Sequence, residues 1–266
     1  MKTRIISAAV ALLILVPIFI IGGNLFNFAV FILALLGLKE FIAVKNSKKE
    51  LPIFIKLVSY IMMTLLLFAG TSTGNFTYGL DFRVIAGIFL VYLIPSVLYH
   101  DRKIYSINDA FYLIGGIFFL GISFHILMYV RSVSLNNILY LFCISIFTDT
   151  FAYITGLLIG RNKLLENISP KKTVEGMIGG TLMGVAISTW FYMTVIDPEA
   201  YLFSIIVTTL FLSILGQLGD LVFSAIKRYY NTKDFSNIMP GHGGILDRFD
   251  SILFILLGFM FFMTII

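Results

Sequence analysis

Four carboxylates, Asp149, Asp220, Asp247 and Asp250, stand inside or at the ends of long apolar runs, where an unpaired charge is costly. Near them in sequence lie Lys171, Lys172, Lys227, Arg228 and Lys233. Carboxylates that share a low-dielectric space need neutralising, by lysine and arginine or by a divalent cation. The chain holds one cysteine and three histidines, no Cys/His set for zinc and no Walker A glycine loop. All-oxygen ligands beside phosphate-binding bases suit Mg²⁺, usually held by one or two carboxylates with substrate phosphates and water completing the shell. Such residues can neutralise and position phosphates for in-line phosphoryl or nucleotidyl transfer, which needs those two things more than covalent chemistry.

The densest stretch runs from Ser224 to Asp250, a polar island between two apolar runs that contains Lys227, Arg228, Lys233, Asp234, His242, Asp247, Arg248 and Asp250. Asp220 precedes it in the cytoplasmic third of a helix, and Ser224, Lys227 and Arg228 follow at i+4, i+7 and i+8 on the same face. Asp247 and Asp250, three apart, open the next helix on one face. Pro240-Gly241-His242-Gly243-Gly244 predicts a tight backbone able to approach a phosphate. His242 either donates to a phosphate or orders that glycine loop.

A second group surrounds Asp149. Tyr153, Gly156 and Gly160 share its helical face, which reads either as a polar cavity or as a Gly-x-x-x-Gly packing seam with one hydrogen-bonded Asp. Ser169-Pro170-Lys171-Lys172-Thr173-Val174-Glu175-Gly176 follows. Ser-Pro predicts an N-cap with Pro at the first helical position, which sets Lys171 and Lys172 beside free backbone N–H groups as an anion site. Ser169, Lys171, Lys172, Thr173, Ser224, Lys233, Gly241, Gly243, Gly244, Arg248 and Tyr153 are thus the candidate substrate- and phosphate-binding residues. Lys227, Arg228, Asp234, His242 and Asp250 are the candidate catalytic ones, and Asp149, Asp220 and Asp247 the candidate metal ligands.

The elements that must position these residues are helices in lipid. Of 266 residues 59% are hydrophobic and 12% charged, against roughly 25% charged in a soluble domain. The pattern predicts an all-α polytopic membrane protein with nine spans, near 5–22, 25–44, 53–70, 84–100, 108–130, 136–160, 174–196, 201–226 and 249–266. With the N-terminus cytoplasmic and the C-terminus outside, all of the 19 basic residues except Arg83 and Arg131 fall on the inner side. The apolar start carries no small-residue cleavage site and reads as an uncleaved span. The net charge of +5 needs no nucleic-acid partner, since basic residues collect at anionic headgroups. Two parts are expected: residues 1–130, about five spans for support and lipid access, and 131–266, a catalytic half of about four. In the first part Lys39-Glu40 reads as a headgroup-level pair, Asp109 as a helix-start carboxylate, His125 as a satisfied core histidine and His100–Lys103 as a solvated turn. Cys143 reads as a small buried apolar residue.

The spacing Ser224-x-x-Lys227-Arg228-x₄-Lys233-Asp234-x₅-Pro240-Gly241-His242-Gly243-Gly244-x-x-Asp247-Arg248-x-Asp250 closely resembles the C-terminal motif of the phosphatidate cytidylyltransferases, or CDP-diacylglycerol synthases. The likeness extends back through Gly219-Asp220, the Ser169–Gly176 segment and Asp149-x-x-Ala152-Tyr153-x-x-Gly156, covering about residues 145–250. Before that, only hydropathy is similar. The resemblance implies that CTP and phosphatidic acid give CDP-diacylglycerol and pyrophosphate, with Mg²⁺ required and K⁺ fitting as a second cation. It implies metal ligation by Asp220 and Asp247, a homodimer, and a site open to the cytoplasm and to lipid in the cell membrane. Two rivals stay in view. A CTP-dependent kinase of a membrane polyprenol or phytol would move the γ-phosphoryl group from a similar site. A transporter or cation channel would spread its carboxylates through the membrane depth and between repeated halves, whereas here they cluster in one half without a repeat.

Overall fold

A computed structural model describes residues 13, 15–68, 71, 72, 75, 76, 81–238 and 243–263. The first expected span therefore falls partly, and Pro240, Gly241 and His242 wholly, outside the described residues. The chain is helical almost throughout: α1 (15–21), α2 (Gly23–Asn46), α3 (Ile53–Phe68), α4 (Phe82–Leu98), α5 (Ile107–Val133), α6 (Leu135–Ile159), α7 (Val174–Phe191), α8 (Leu202–Tyr229) and α9 (Leu246–Met263). A π-helical turn, Tyr192–Ile196, continues α7. Two short antiparallel hairpins complete the order, β1 (Thr71–Ser72) with β2 (Asn75–Phe76), and β3 (Lys163–Leu165) with β4 (Ser169–Thr173).

Among the described residues five helices are long and apolar enough to cross a membrane, namely α2, α5, α6, α7 with its π turn, and α8, while α3 and α4 are shorter apolar helices. Local capping chemistry sets some of their starts. Asp81 accepts from Arg83 N at 2.8 Å at the start of α4, and Ser134 from Asn136 N at 3.1 Å at the start of α6.

The chain divides into two compact units. The first comprises residues 1–132 and 230–247. Its pillar is α5, whose Leu113, Ile117, Leu120, Phe124 and Met128 are buried. Small residues let neighbours close on it: Gly116 faces the ring of Phe41 on α2, and Gly121 faces Leu66 and Met63 on α3. Polar groups buried there find partners, as a low-dielectric interior requires. Tyr112 Oη donates to Phe41 O at 2.8 Å, Tyr92 Oη donates to Ser59 Oγ at 2.8 Å, and His125 Nδ1 lies 2.8 Å from Leu67 O. His125 is thus a core histidine with its hydrogen bond met, and His100–Lys103 is an exposed turn.

The second unit comprises residues 133–229 and 248–266. Its centre is a small-residue seam between α6 and α7. A Cβ on Gly180 would stand 2.5 Å from Thr148 O, and one on Gly176 would stand 2.7 Å from Ala152 O. Gly156 lies against Thr173 and Gly176. Of the two readings of the Gly156–Gly160 face, the packing seam is the one found for the glycines themselves. Hydrogen bonds tie α8 to the seam: Gln217 Nε2 donates to Thr181 Oγ1 at 2.8 Å, and the Thr148 and Ser213 hydroxyls are 2.8 Å apart. On α8, Gly216 and Gly219 admit Ile255 and Phe254 of α9. Cys143 on α6 is half-buried, not fully buried.

One local expectation is corrected. Ser169-Pro170 does not begin a helix; Ser169–Thr173 is a strand paired with Lys163–Leu165. The cap is Thr173, whose Oγ1 accepts from Gly176 N at 3.1 Å. The residue before a proline is driven toward extended backbone, and here a partner strand meets that extension. Lys171 and Lys172 accordingly stand before the helix, not inside its first turn.

Candidate active site

In the second unit three helices bring acidic residues together. Asp149 comes from α6, Asp220 from α8 and Asp250 from the first turns of α9, each within electrostatic reach of the other two. The close approach of α8 and α9 has a visible cause, since a Cβ on Gly219 would stand 2.8 Å from Asp250 O. Hydroxyls line the group: Ser251 Oγ donates to Asp149 Oδ2 at 3.2 Å, and Ser224 Oγ to Asp220 Oδ1 at 3.3 Å. Two lysines supply countercharge. Lys172 Nζ is 2.5 Å from Asp220 Oδ2, and Lys227, only 8% exposed, lies within electrostatic reach of Asp250. Arg228 is exposed, and its Nε donates to Ile168 O at 3.3 Å in the β3–β4 turn. Lys171 on β4 and Tyr153 on α6 are exposed, Ser169 is half-buried, and Thr173 is consumed as the helix cap. Glu175 closes the base of the hairpin by accepting from Arg161 N and from the Asn162 backbone and side chain.

In the first unit lies the loop 230–246, which ends on Asp247. Asp247 Oδ2 accepts from Phe235 N and Gly244 N, each at 2.9 Å, so this carboxylate ties Phe235 and Gly244 to the start of α9. Gly243 has φ +82°, open to glycine, and a Cβ there would also stand 2.8 Å from Asp247 Oδ2. A Cβ on Gly244 would stand 2.5 Å from Glu40 Oε1. The two glycines are thus explained in this structure by the carboxylates pressed against them. Lys233, Asp234 and Arg248 are exposed.

Glu40 itself was missed by the sequence reading. It is 1% exposed, not at headgroup level, and accepts from Ser236 Oγ at 2.6 Å, Ile245 N at 2.8 Å and Leu246 N at 2.9 Å. A carboxylate at the end of an apolar run was the available signal, but its partners lie some 200 residues away, beyond any local pattern. Asp109 does stand at its helix start, accepting from Ser106 N at 2.9 Å, and it also binds Lys45 at 2.6 Å and Lys49.

A profile of the Cytidylyltransferase family matches residues 2–266. The phosphatidate cytidylyltransferase of Staphylococcus haemolyticus (strain JCSC1435) is 37% identical over 257 residues, 96% of each chain. The chain belongs to the phosphatidate cytidylyltransferase family. The phosphatidate cytidylyltransferase of Staphylococcus aureus (strain COL) is likewise 37% identical over 96% of each chain, and that of Staphylococcus saprophyticus subsp. saprophyticus (strain ATCC 15305 / DSM 20229 / NCIMB 8711 / NCTC 7292 / S-41) is 36% identical. As a member of this family the protein is an enzyme, a nucleotidyltransferase.

A cytidylyltransferase of this family is expected to use Mg²⁺, and the donor set can be tested for fit. Among the described residues no three His, Cys, Asp or Glu side chains are gathered tightly enough to cage a metal by themselves. What is present is an all-oxygen set with a lysine on one member, Asp220. That fits a cation held by one or two carboxylates whose remaining ligands are phosphates and water, and it does not fit zinc.

Proposed function

We propose that this chain transfers the cytidylyl group of CTP to phosphatidic acid, giving CDP-diacylglycerol and pyrophosphate. The observation that carries this reading is the gathering of Asp149, Asp220 and Asp250 with Lys172 and Lys227. The relatives' name, phosphatidate cytidylyltransferase, supports the substrate pair. The enzyme works at the cytoplasmic face of the cell membrane, crossed nine times, with its N-terminus inside, its C-terminus outside, and a homodimer as the working form. The one-sided distribution of basic residues supports that orientation.

Asp220 and Asp149 would hold Mg²⁺, with Asp247, which opens the helix that carries Asp250, as the further ligand implied by the resemblance. Mg²⁺, with K⁺ as a second cation, supplies charge neutralisation for the triphosphate when bound. The protein's own groups do the rest. A phosphate oxygen of the lipid forms the new bond to the α-phosphorus of CTP, the α–β bridging bond breaks, and pyrophosphate leaves with the electron pair. No general base is required, because a phosphate monoester is largely ionised at neutral pH. Lys172 would exchange Asp220 for a phosphate oxygen, which its partly exposed ion pair supports. Lys227, within electrostatic reach of Asp250, would orient the same group from α8. Lys171, Arg228, Lys233 and Arg248, each exposed, would contact pyrophosphate or the lipid headgroup.

Purified protein in mixed micelles with phosphatidic acid, given CTP labelled at the α or at the γ phosphorus, tests the reading. Label should enter the lipid from the α position only. Label entering from the γ position alone would replace this activity with that of a CTP-dependent lipid kinase.

A further inference from the structure

Glu40 belongs to α2, far in sequence from every residue placed at the site, yet its carboxylate is wholly committed to the loop that ends in Asp247. Oε1 accepts from Ser236 Oγ and Ile245 N, and Oε2 accepts from Leu246 N. Ile245 and Leu246 carry unpaired N–H groups at the start of α9, so the carboxylate acts as a helix cap supplied from another helix, where a negative charge is also favoured by the helix dipole. Packing repeats the message. Gly37, one turn before Glu40, lies against Leu246, and Lys48 in the turn after α2 stands 5.2 Å above the ring of Tyr230. Tyr112 on α5 meets Tyr230 edge to face at 5.8 Å. Gly244 has no side chain where Glu40 approaches, and the next polar contact along, Gly244 N to Asp247 Oδ2, sets the direction of Asp247.

We infer that Glu40 is a positioning residue for nucleotidyl transfer: it fixes Ser236 and the Ile245–Leu246 start of α9, and through Gly244 it fixes Asp247. This rests on the proposed function, and it gives the first unit a part in the chemistry beyond support for lipid access. Removing the carboxylate leaves buried Ile245 and Leu246 N–H groups unsatisfied, which loosens the loop while the seam between α6 and α7 stays intact.

The test uses the full-length protein in detergent with Glu40→Gln, Glu40→Asp, Glu40→Ala, Gly244→Ala and the double variant Glu40→Ala/Gly244→Ala. Hydrogen exchange without substrates reads the anchor. Glu40→Gln should speed exchange of amides 235–238 and 243–246 and leave peptides of α6 and α7 unchanged. Turnover of α-labelled CTP reads the consequence: kcat should fall about 100-fold with KM for both substrates little changed, the signature of misplacement without lost binding. Glu40→Asp should recover part of kcat. Gly244→Ala should reproduce the loss, because its Cβ displaces the carboxylate, and should add little to Glu40→Ala, because the space is then empty. A kcat within threefold of the unaltered enzyme in Glu40→Gln overturns the proposal. So does fully additive loss in the double variant, or faster exchange spread evenly over the whole chain. Unaltered protein that moves γ label would sink the functional reading, whereas the exchange pattern of amides 235–238 and 243–246 judges the anchor without turnover.

Discussion

The ammonium of Lys172, on the strand that leads into α7, stands 2.5 Å from Oδ2 of Asp220 on α8. Both side chains are just under a third exposed, so the pair is held near solvent and can be exchanged for other charges. Lys172→Met should therefore act in two directions. Without nucleotide, Mn²⁺ binding followed by the free-ion EPR signal should tighten by up to about fivefold, because the competing ammonium is gone. KM for CTP should rise about tenfold or more, because a charge-assisted contact to phosphate is lost. Unchanged Mn²⁺ affinity would show that Lys172 and a cation do not compete for Asp220.

Asp220→Asn and Asp247→Asn remove charge with little change of shape. Each should lower cytidylyl transfer at least about 100-fold at any practical Mg²⁺ concentration, while the protein still inserts and purifies. An Asn at 247 keeps an oxygen able to accept from Phe235 N and Gly244 N, so loop exchange should change little. Near-normal turnover in either variant would remove that residue from the metal-binding role.

The α6–α7 seam should tolerate no added volume. Gly180→Ala puts a Cβ 2.5 Å from Thr148 O and 2.6 Å from Ala152 Cβ. Overpacking of this kind costs about 1–3 kcal/mol, visible as a lower Tm in detergent. Because Asp149 follows Thr148 directly, turnover should fall as well. A variant as stable as the parent would mean that the helices part at no cost.

Capping separates Thr173 from Ser169. Thr173→Ala should destabilise by about 1 kcal/mol through the lost bond to Gly176 N, read as an earlier thermal transition and faster exchange in the first turn of α7. Ser169→Ala should leave both unchanged, since its helix-starting role is excluded by the strand found there. The opposite ranking would reinstate Ser169 as the cap.

Local sequence carried much of the geometry of the candidate site. The i, i+4, i+7 relation of Asp220, Ser224 and Lys227 is a property of any α-helix, and α8 keeps it, with Ser224 Oγ donating to Asp220 and Lys227 buried on the same stretch. The interior Asp149 was recognisable because a carboxylate in an apolar run needs partners, and here it has Ser251 and the nearby Lys172. Ser169-Pro170 failed because two local rules competed. Proline suits the first turn of a helix, but it also extends the residue before it, and the β3 partner decided between them.

By itself, then, the amino-acid order determined that this is a helical protein for lipid, which residues carry the charge, and which of them share a helix face, because hydropathy and helical periodicity act within one element. Tertiary structure alone decided which elements meet. It brought Asp149, Asp220 and Asp250 from three helices into electrostatic reach of one another, and it gave the N–H groups of Ile245 and Leu246 to Glu40, some 200 residues earlier. The physical reason is that a buried donor must find an acceptor wherever the fold brings one, and no local spacing encodes a partner on another helix.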